Sequence, residues 1–454
     1  MNDRKKVLRL FEEQKEYMEE RVNSGIEQYR KGYAEITVKD KNGNAVSDAK
    51  IKLNQKSHEF KFGANLFMLD ELETDEKNKA YKKYFAETFN MATLPFYWNT
   101  LEPEEGKPRF SKDSPKIYRR PPIDLCMEFC KEHGIEPREH CLNYDIFRPE
   151  WLNGASVETI KEKLEERMRI LSERYSDDIP CWEVINETLF VLRGERPSAF
   201  YYEPDLVEWS FKTAEKYFKS NKITINESNW NIYENMFKHN RSPYYMQIER
   251  AINNGARIDA IGMQFHMCFT KEEEVERVTK DFYDPKHHYA VMDTYANFGK
   301  PLQITEVTIP AYSNDAEDEA IQAEILEKLY SIWFSHPNME QIIYWNLVDG
   351  YAYVPNADPK KIRESQGDMT LGENYYYGGL LRFDMTPKPA YYAIKNLIEK
   401  KWHTEAEVAS DGNGKAKFKG FYGKYNAEIT VNGKTVHETI KLSSKGNSTF
   451  NIEI

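Results

Sequence analysis

Cys181-Trp182-Glu183-Val184-Ile185-Asn186-Glu187 is a short apolar run that finishes on a carboxylate. Runs of this length and composition, flanked by helical pattern, read as parallel strands buried on both faces. Leu302-Gln303-Ile304-Thr305-Glu306-Val307 has the same form. Outward from these two, further strand-like cores fall at 60–67, 88–94, 136–143, 222–228, 260–266 and 341–348, making eight with 181–187 and 302–309. Amphipathic helices lie between them, among them Val157 to Tyr175, Pro204 to Ser220 and Ala320 to Phe334. Strand and helix alternating eight times predict a (β/α)8 TIM barrel. A doubly wound sheet is the runner-up, but no GxGxxG follows the first strand.

The two ends of the chain read differently. Residues 4–32 form a charged helical stretch. Alternating segments at Ala34–Asp40 and Ala49–Leu53, around Asn42-Gly43, predict a β-hairpin. After a helix at Pro389–Lys401, alternation returns at Glu405–Ala409, Lys415–Gly420, Ala427–Val431, Thr435–Leu442 and Thr449–Ile454. Some fifty residues make a marginal sandwich alone, so a small accessory antiparallel β-domain built from the N- and C-terminal segments is expected. The expected organisation is 1–57 (helix and hairpin, packing on the C-terminal strands), 58–402 (the catalytic barrel) and 403–454 (a β-sandwich-like module).

Composition narrows the function classes. The formal charge of −11 argues against nucleic acid and against a basic membrane-surface patch. No run of 18 apolar residues exists, so no transmembrane span is expected. The N-terminal MNDRKKVLRLFEEQKEYMEE is charged and lacks the apolar stretch of a secretory signal, so the expectation is a cytoplasmic protein, or a secreted one from which a leader has been removed. The five cysteines show no framework spacing and read as reduced thiols. Without CxxC or HExxH, and with His287-His288 pointing apart, neither metal nor cofactor is expected.

Barrel chemistry gathers at the C-terminal ends of the strands. Those ends offer His140 and Asn143, Asn186 and Glu187, Asn226 and Glu227, Gln264 and His266, Glu306, then Trp345 and Asp349. A polar ring of this kind suits a sugar, because buried polar groups are costly unless they pair or meet a ligand. Two facing carboxylates are the machinery of glycoside hydrolysis, one protonated and one ionised. Glu187 and Glu306 are the candidates. Glu183 and Glu227 read more readily as salt-bridged barrel residues.

These residues carry a family resemblance. The chain resembles glycoside hydrolase family 10, the xylanase family of clan A, in Trp182–Glu187, Ile304-Thr305-Glu306, Gly262–His266, Leu101–Gly106, Phe62-Gly63-Ala64 and Pro387–Tyr392, in family order. The resemblance implies Glu187 as acid/base, Glu306 as nucleophile, His140 and Asn186 lining the −1 sugar site, Gln264 and His266 flanking the nucleophile, and Trp345 as an aromatic floor. Departures are equally specific. Thr93, Leu94 and Tyr97 stand where the family has the Glu, Asn and Lys that grip xylose at −1 and −2. Tyr144-Asp145 replaces Trp-His, Thr308 replaces an Asp, and Tyr353 replaces a second Trp. Losing three charge-assisted contacts of roughly 1.5–3 kcal/mol each implies a rebuilt glycone pocket, with Tyr144, Asp145, Tyr97 and Tyr353 as candidate replacements.

The expectation is a retaining β-glycosidase acting on short β-xylo-oligosaccharides or a small-aglycone β-glycoside. An endo-1,4-β-xylanase on polymeric xylan and a non-catalytic carbohydrate-binding protein are the alternatives. Phe421, Tyr422 and Tyr425 could serve sugar stacking in the C-terminal module, with packing against the barrel as the plainer role.

Overall fold

The computed structural model describes residues 3–189, 197–233, 239–355, 358–364 and 367–454. β1 (Lys31–Lys39) and β2 (Lys50–His58) precede eight barrel strands: β3 (Lys61–Asn65), β4 (Met91–Pro95), β5 (Glu136–His140), β6 (Cys181–Asn186), β7 (Lys222–Asn226), β8 (Ala260–His266), β9 (Leu302–Thr308) and β10 (Met339–Tyr344). These eight close in the order β10-β3-β4-β5-β6-β7-β8-β9, each pair parallel. β6 and β9 are buried along their whole length, in keeping with their largely apolar character. The expected TIM barrel is therefore observed.

Helix boundaries follow local chemistry. α1 (Val157–Tyr175) begins where Ser156 accepts the Thr159 N–H, and Ile160, Leu164, Met168 and Leu171 line its buried stripe. α2 (Ala316–Ser335) carries Glu317, Asp318 and Glu319 in its first turn, where the helix dipole favours negative charge. At Gly63 and Gly262 neighbouring backbone leaves no room for a side chain: an added Cβ would lie 2.7 Å from the carbonyl oxygens of Met91 and Ile225 respectively.

The C-terminal strands are β11 (Glu405–Ala409), β12 (Lys415–Phe421), β13 (Gly423–Val431), β14 (Lys434–Leu442) and β15 (Thr449–Glu453). They join the N-terminal strands in two sheets, β12-β1-β15 and β11-β2-β13-β14. All pairings are antiparallel except β1 with β15, which is parallel. The expected hairpin is corrected here. A turn closes locally at Asp40–Asn44, but β1 and β2 then part into opposite sheets. Their inward residues explain this: Ala34, Ile36 and Val38 face Ile51 and Leu53 across one core, so the strands bury more apolar surface facing each other than side by side. Tyr425 is fully buried in that core and Phe421 packs against Phe334, so both serve packing.

Candidate active site

The floor of the site is an ionic core inside the barrel. Arg138 on β5 and Glu183 on β6 are both enclosed, with Nη2 2.5 Å from Oε2. The other Glu183 oxygen lies 2.9 Å from His140 Nδ1. Burial works to raise the Glu183 carboxyl, but His140 and Arg138 outweigh it and hold it below its ordinary value. Bonding to this carboxylate places a proton on His140 Nδ1, and Nε2 lies 2.9 Å from the Tyr97 hydroxyl. His140, Cys141 and Glu183 lie close enough to suggest a metal site among the described residues, but Glu183 already holds the Arg138 cation.

Two register slips set the layer above. The β6–β7 ladder shifts between Glu183 and Ile185, which brings Asn186 beside Asn226. The β8–β9 ladder shifts after Met263, which brings Gln264 beside Glu306. Such bulges re-aim side chains next to functional sites. Thr305 donates to Asn226 Oδ1 at 2.7 Å, so the amide nitrogen faces inward and reaches Glu306 Oε1 at 2.8 Å. Gln264 Nε2 lies 3.0 Å from the same oxygen and 2.8 Å from Glu187 Oε1. Those two contacts hold the nearest carboxylate oxygens of Glu187 and Glu306 within about 5.8 Å of each other. His266 Nε2 lies 3.1 Å from Glu306 Oε2, and its Nδ1 is 2.9 Å from the Thr308 hydroxyl. Burial lowers His266, which favours the neutral ring. With Thr308 donating to Nδ1, the ring proton sits on Nε2 and points at Glu306.

Glu187 occupies a left-handed backbone conformation, φ 51°, strain of a kind that clusters at functional sites. Its Oε2 accepts the Tyr144 hydroxyl at 2.5 Å. Burial and then the Glu306 charge push Glu187 up to about 7. Burial pushes Glu306 up to about 7 as well, with His140 drawing it down and Glu183 adding to the rise. Glu227, also raised to about 7 by burial, accepts the Leu189 N–H at 2.9 Å and the Ser228 N–H at 2.8 Å. It thus braces the segment that follows Glu187.

The wall beside His140 is aromatic. Trp345 packs edge-on against Phe67, His140 and His266, with ring centroids 5.2, 5.2 and 5.8 Å away. Tyr97 lies 4.4 Å from Phe147, which in turn lies 6.1 Å from Tyr353. Behind Tyr97 are Arg119 and Arg120, only 3% and 6% exposed. The Arg120 guanidinium sits 3.8 Å over the Tyr97 ring. Withdrawing such a charge from water costs several kcal/mol, whereas a ring face returns about 2. Burial without a nearby carboxylate pulls Arg120 down to about 10.

Most of the expected residues converge: His140, Tyr144, Asn186, Glu187, Gln264, His266, Glu306, Trp345 and Tyr97 form one connected cluster, with Tyr353 at its margin. Asp145 is a correction. Its oxygens accept from Ser198 N–H and Oγ at 2.6 and 2.7 Å and form an ion pair with Arg148 Nη1 at 2.7 Å, so it is spent on the loop rather than offered to a sugar. Thr93 and Leu94 are fully buried in the barrel. Asn226, Phe67, Phe147 and the Arg119–Arg120 pair were not singled out from sequence as site residues. Asn226 was visible as a strand-end amide, whereas loop residues remote in sequence carry no periodic signal.

The sequence of glycosyl hydrolase family 10 matches residues 53–397, and the chain belongs to that family of xylanase-type glycoside hydrolases. Among curated relatives, it is 22% identical to the anti-sigma-I factor RsgI6 of Acetivibrio thermocellus over 95% of this chain and 49% of that protein, so it spans about half of that relative's length. It is 24% identical to endo-1,4-beta-xylanase B of Thermotoga neapolitana over 75% of this chain and 88% of the relative. Among solved structures, xylanase 10B of Thermotoga petrophila in complex with xylobiose superposes with a TM-score of 0.58 at 22% identity, covering 76% of this chain and 95% of that one.

Proposed function

We propose that the chain is a retaining β-glycoside hydrolase acting by double displacement on short β-xylo-oligosaccharides or small-aglycone β-glycosides. The observation that carries this is the carboxylate spacing. Retaining enzymes hold the pair about 5–5.5 Å apart, and inverting ones about 6.5–9.5 Å to admit a water. The nearest oxygens of Glu187 and Glu306, bridged by one amide and so within about 5.8 Å of each other, fit the closer arrangement. At that distance two carboxylates repel by roughly 3 kcal/mol at an effective dielectric of about 20, which favours one shared proton near neutrality. Glu306 faces N–H donors from Asn226, Gln264 and His266, so it keeps the charge and Glu187 keeps the proton. In this mechanism Glu306 attacks the anomeric carbon while Glu187 protonates the leaving oxygen. Glu187 then takes a proton from water as that water displaces Glu306.

The restriction to short or small-aglycone substrates rests on Thr93, Leu94 and Tyr97, which offer no charged grip on a xylan chain. Glu306→Gln is expected to lower turnover of an activated aryl β-xyloside at least a thousandfold, and a rate within tenfold of wild type would exclude the assignment. A 2-deoxy-2-fluoro glycoside should add its sugar mass to the peptide containing Glu306. A second reading is a carbohydrate-binding protein on the enzyme scaffold. One observation favours it: a relative matched over 95% of this chain is named for anti-sigma function. Turnover of any aryl β-glycoside that depends on Glu306 decides against it.

A further inference from the structure

We infer that Arg119 and Arg120 form an anion site on the glycone side of the cleft, which takes the carboxylate of a uronic acid residue in the substrate. This deepens the glycosidase reading and rests on it for the word glycone.

The pair is built into the fold. Ile117 and Arg120 bridge across a tight turn, and Arg119 is held in the left-handed region at φ 60°. Arg109 fixes the turn by donating to the carbonyls of Pro115, Thr100 and Arg120. Arg119 spends one terminal nitrogen on Asn346 Oδ1 and the Tyr351 carbonyl, at 2.8 and 2.5 Å. Arg120 spends one on the Arg119 carbonyl at 2.9 Å. In both, Nε is enclosed without a partner and Nη2 makes no hydrogen bond among the described residues. That leaves Nη2 of each guanidinium as the donor for a carboxylate oxygen, a charge-assisted bond of the strong kind. Neither arginine forms an ion pair among the described residues, and the charged or ionisable neighbours of Arg120 are Arg119 and the tyrosines Tyr97, Tyr118 and Tyr353.

Location ties the pair to substrate. Arg120 stacks on Tyr97, whose hydroxyl meets His140, whose ring packs on the Trp345 floor. Tyr97 stands where the family resemblance places a lysine. The positive charge here stands on a neighbouring loop, against the Tyr97 ring. Two guanidiniums in place of one ammonium suit a planar, bidentate anion better than a neutral hydroxyl. In a chain of charge −11, such a local site offsets the general repulsion of an anionic sugar.

The test is binding rather than turnover, so it reads separately from the hydrolase assignment. Methyl β-D-glucuronide and methyl β-D-glucoside differ only in carboxylate against hydroxymethyl. Calorimetric titration of the full chain should show the glucuronide binding at least tenfold more tightly, with the preference weakening as salt rises. Arg120→Gln should reduce the glucuronide-to-glucoside affinity ratio at least tenfold, and Arg120→Lys should restore part of it. Equal affinities in the wild-type chain, or a ratio unmoved in a folded Arg120→Gln, would overturn the inference even if aryl xylosides are hydrolysed. Tighter binding of methyl β-D-glucoside 6-sulfate than of the glucuronide would overturn the assignment to a carboxylate. Glucuronide preference without turnover of any glycoside would leave the anion site standing and remove the hydrolase reading.

Discussion

Single side chains decide the protonation state on which the chemistry depends. Glu187 is raised to about 7 by burial and by Glu306, while the Tyr144 hydroxyl pulls it the other way. kcat/KM on an aryl β-glycoside should therefore decline above pH about 7, as Glu187 loses its proton. Tyr144→Phe removes a donor that favours the charged form, so the alkaline limb should move to higher pH; a limb that stays put or moves down would show that Tyr144 does not tune the acid. The same shift has a cost in stability. A carboxyl raised above its unfolded value near 4.3 is penalised as pH rises through that value, and the full penalty is felt above about 7. Glu187→Gln should accordingly raise stability by about 2 kcal/mol at pH 8 and by far less at pH 4.5, as chemical denaturation at the two pH values would measure. This figure allows for the part of Glu187 that opens on the cleft.

At the scale of strands, the site depends on register. The slip after Met263 places Gln264 opposite Glu306, where it can touch both carboxylates. Gly262 permits β8 to lie this close to β7: a Cβ there would stand 2.6 Å from Asn226 Oδ1. Gly262→Ala should therefore displace the Asn226 amide from Glu306. The expected result is about 1–3 kcal/mol of lost stability from overpacking, together with a fall in kcat larger than the change in KM. A variant that melts earlier but keeps wild-type kcat would show that Asn226 is not needed for the reaction. The turn carrying Arg119 and Arg120 is an element of the same kind, since its left-handed φ and the Arg109 bonds fix the backbone from which the two side chains extend.

Across the whole molecule, the barrel and the end-to-end β-sheets share an aromatic seam. Trp402 stacks on Phe334 at 4.2 Å and on Phe62 at 5.6 Å, and His58 lies edge-on to Phe62, Phe334 and Phe421. Arg30 donates to carbonyls of Phe334, His336 and Met339, tying the start of β1 to the underside of β10. Trp402→Ala should cost about 3–5 kcal/mol, the usual loss for a buried tryptophan, visible as a lower thermal midpoint. A loss below about 1 kcal/mol would mean that the seam does not couple the two parts. No described helix is long and apolar enough to cross a membrane.

The sequence alone determined the barrel and its rim. Short strands buried on both faces are mostly apolar, and strand-like runs alternating eight times with helices leave few other folds, even though β5 carries Arg138, Glu139 and His140; the carboxylates at the strand ends followed from where those runs stop. What depends on contacts between distant segments was decided only by the tertiary structure. The apparent hairpin opened into two sheets because the faces of β1 and β2 meet across a core built from residues nearly 400 positions away. Asp145 looked available until the Ser198 loop folded onto it. Asn226 and Gln264 gained their roles from slips of one residue, and Arg119 and Arg120 from a loop whose pattern says nothing of the ring it lies behind. Periodicity records which face of a segment is apolar, but not which partner, register or charge that face will meet.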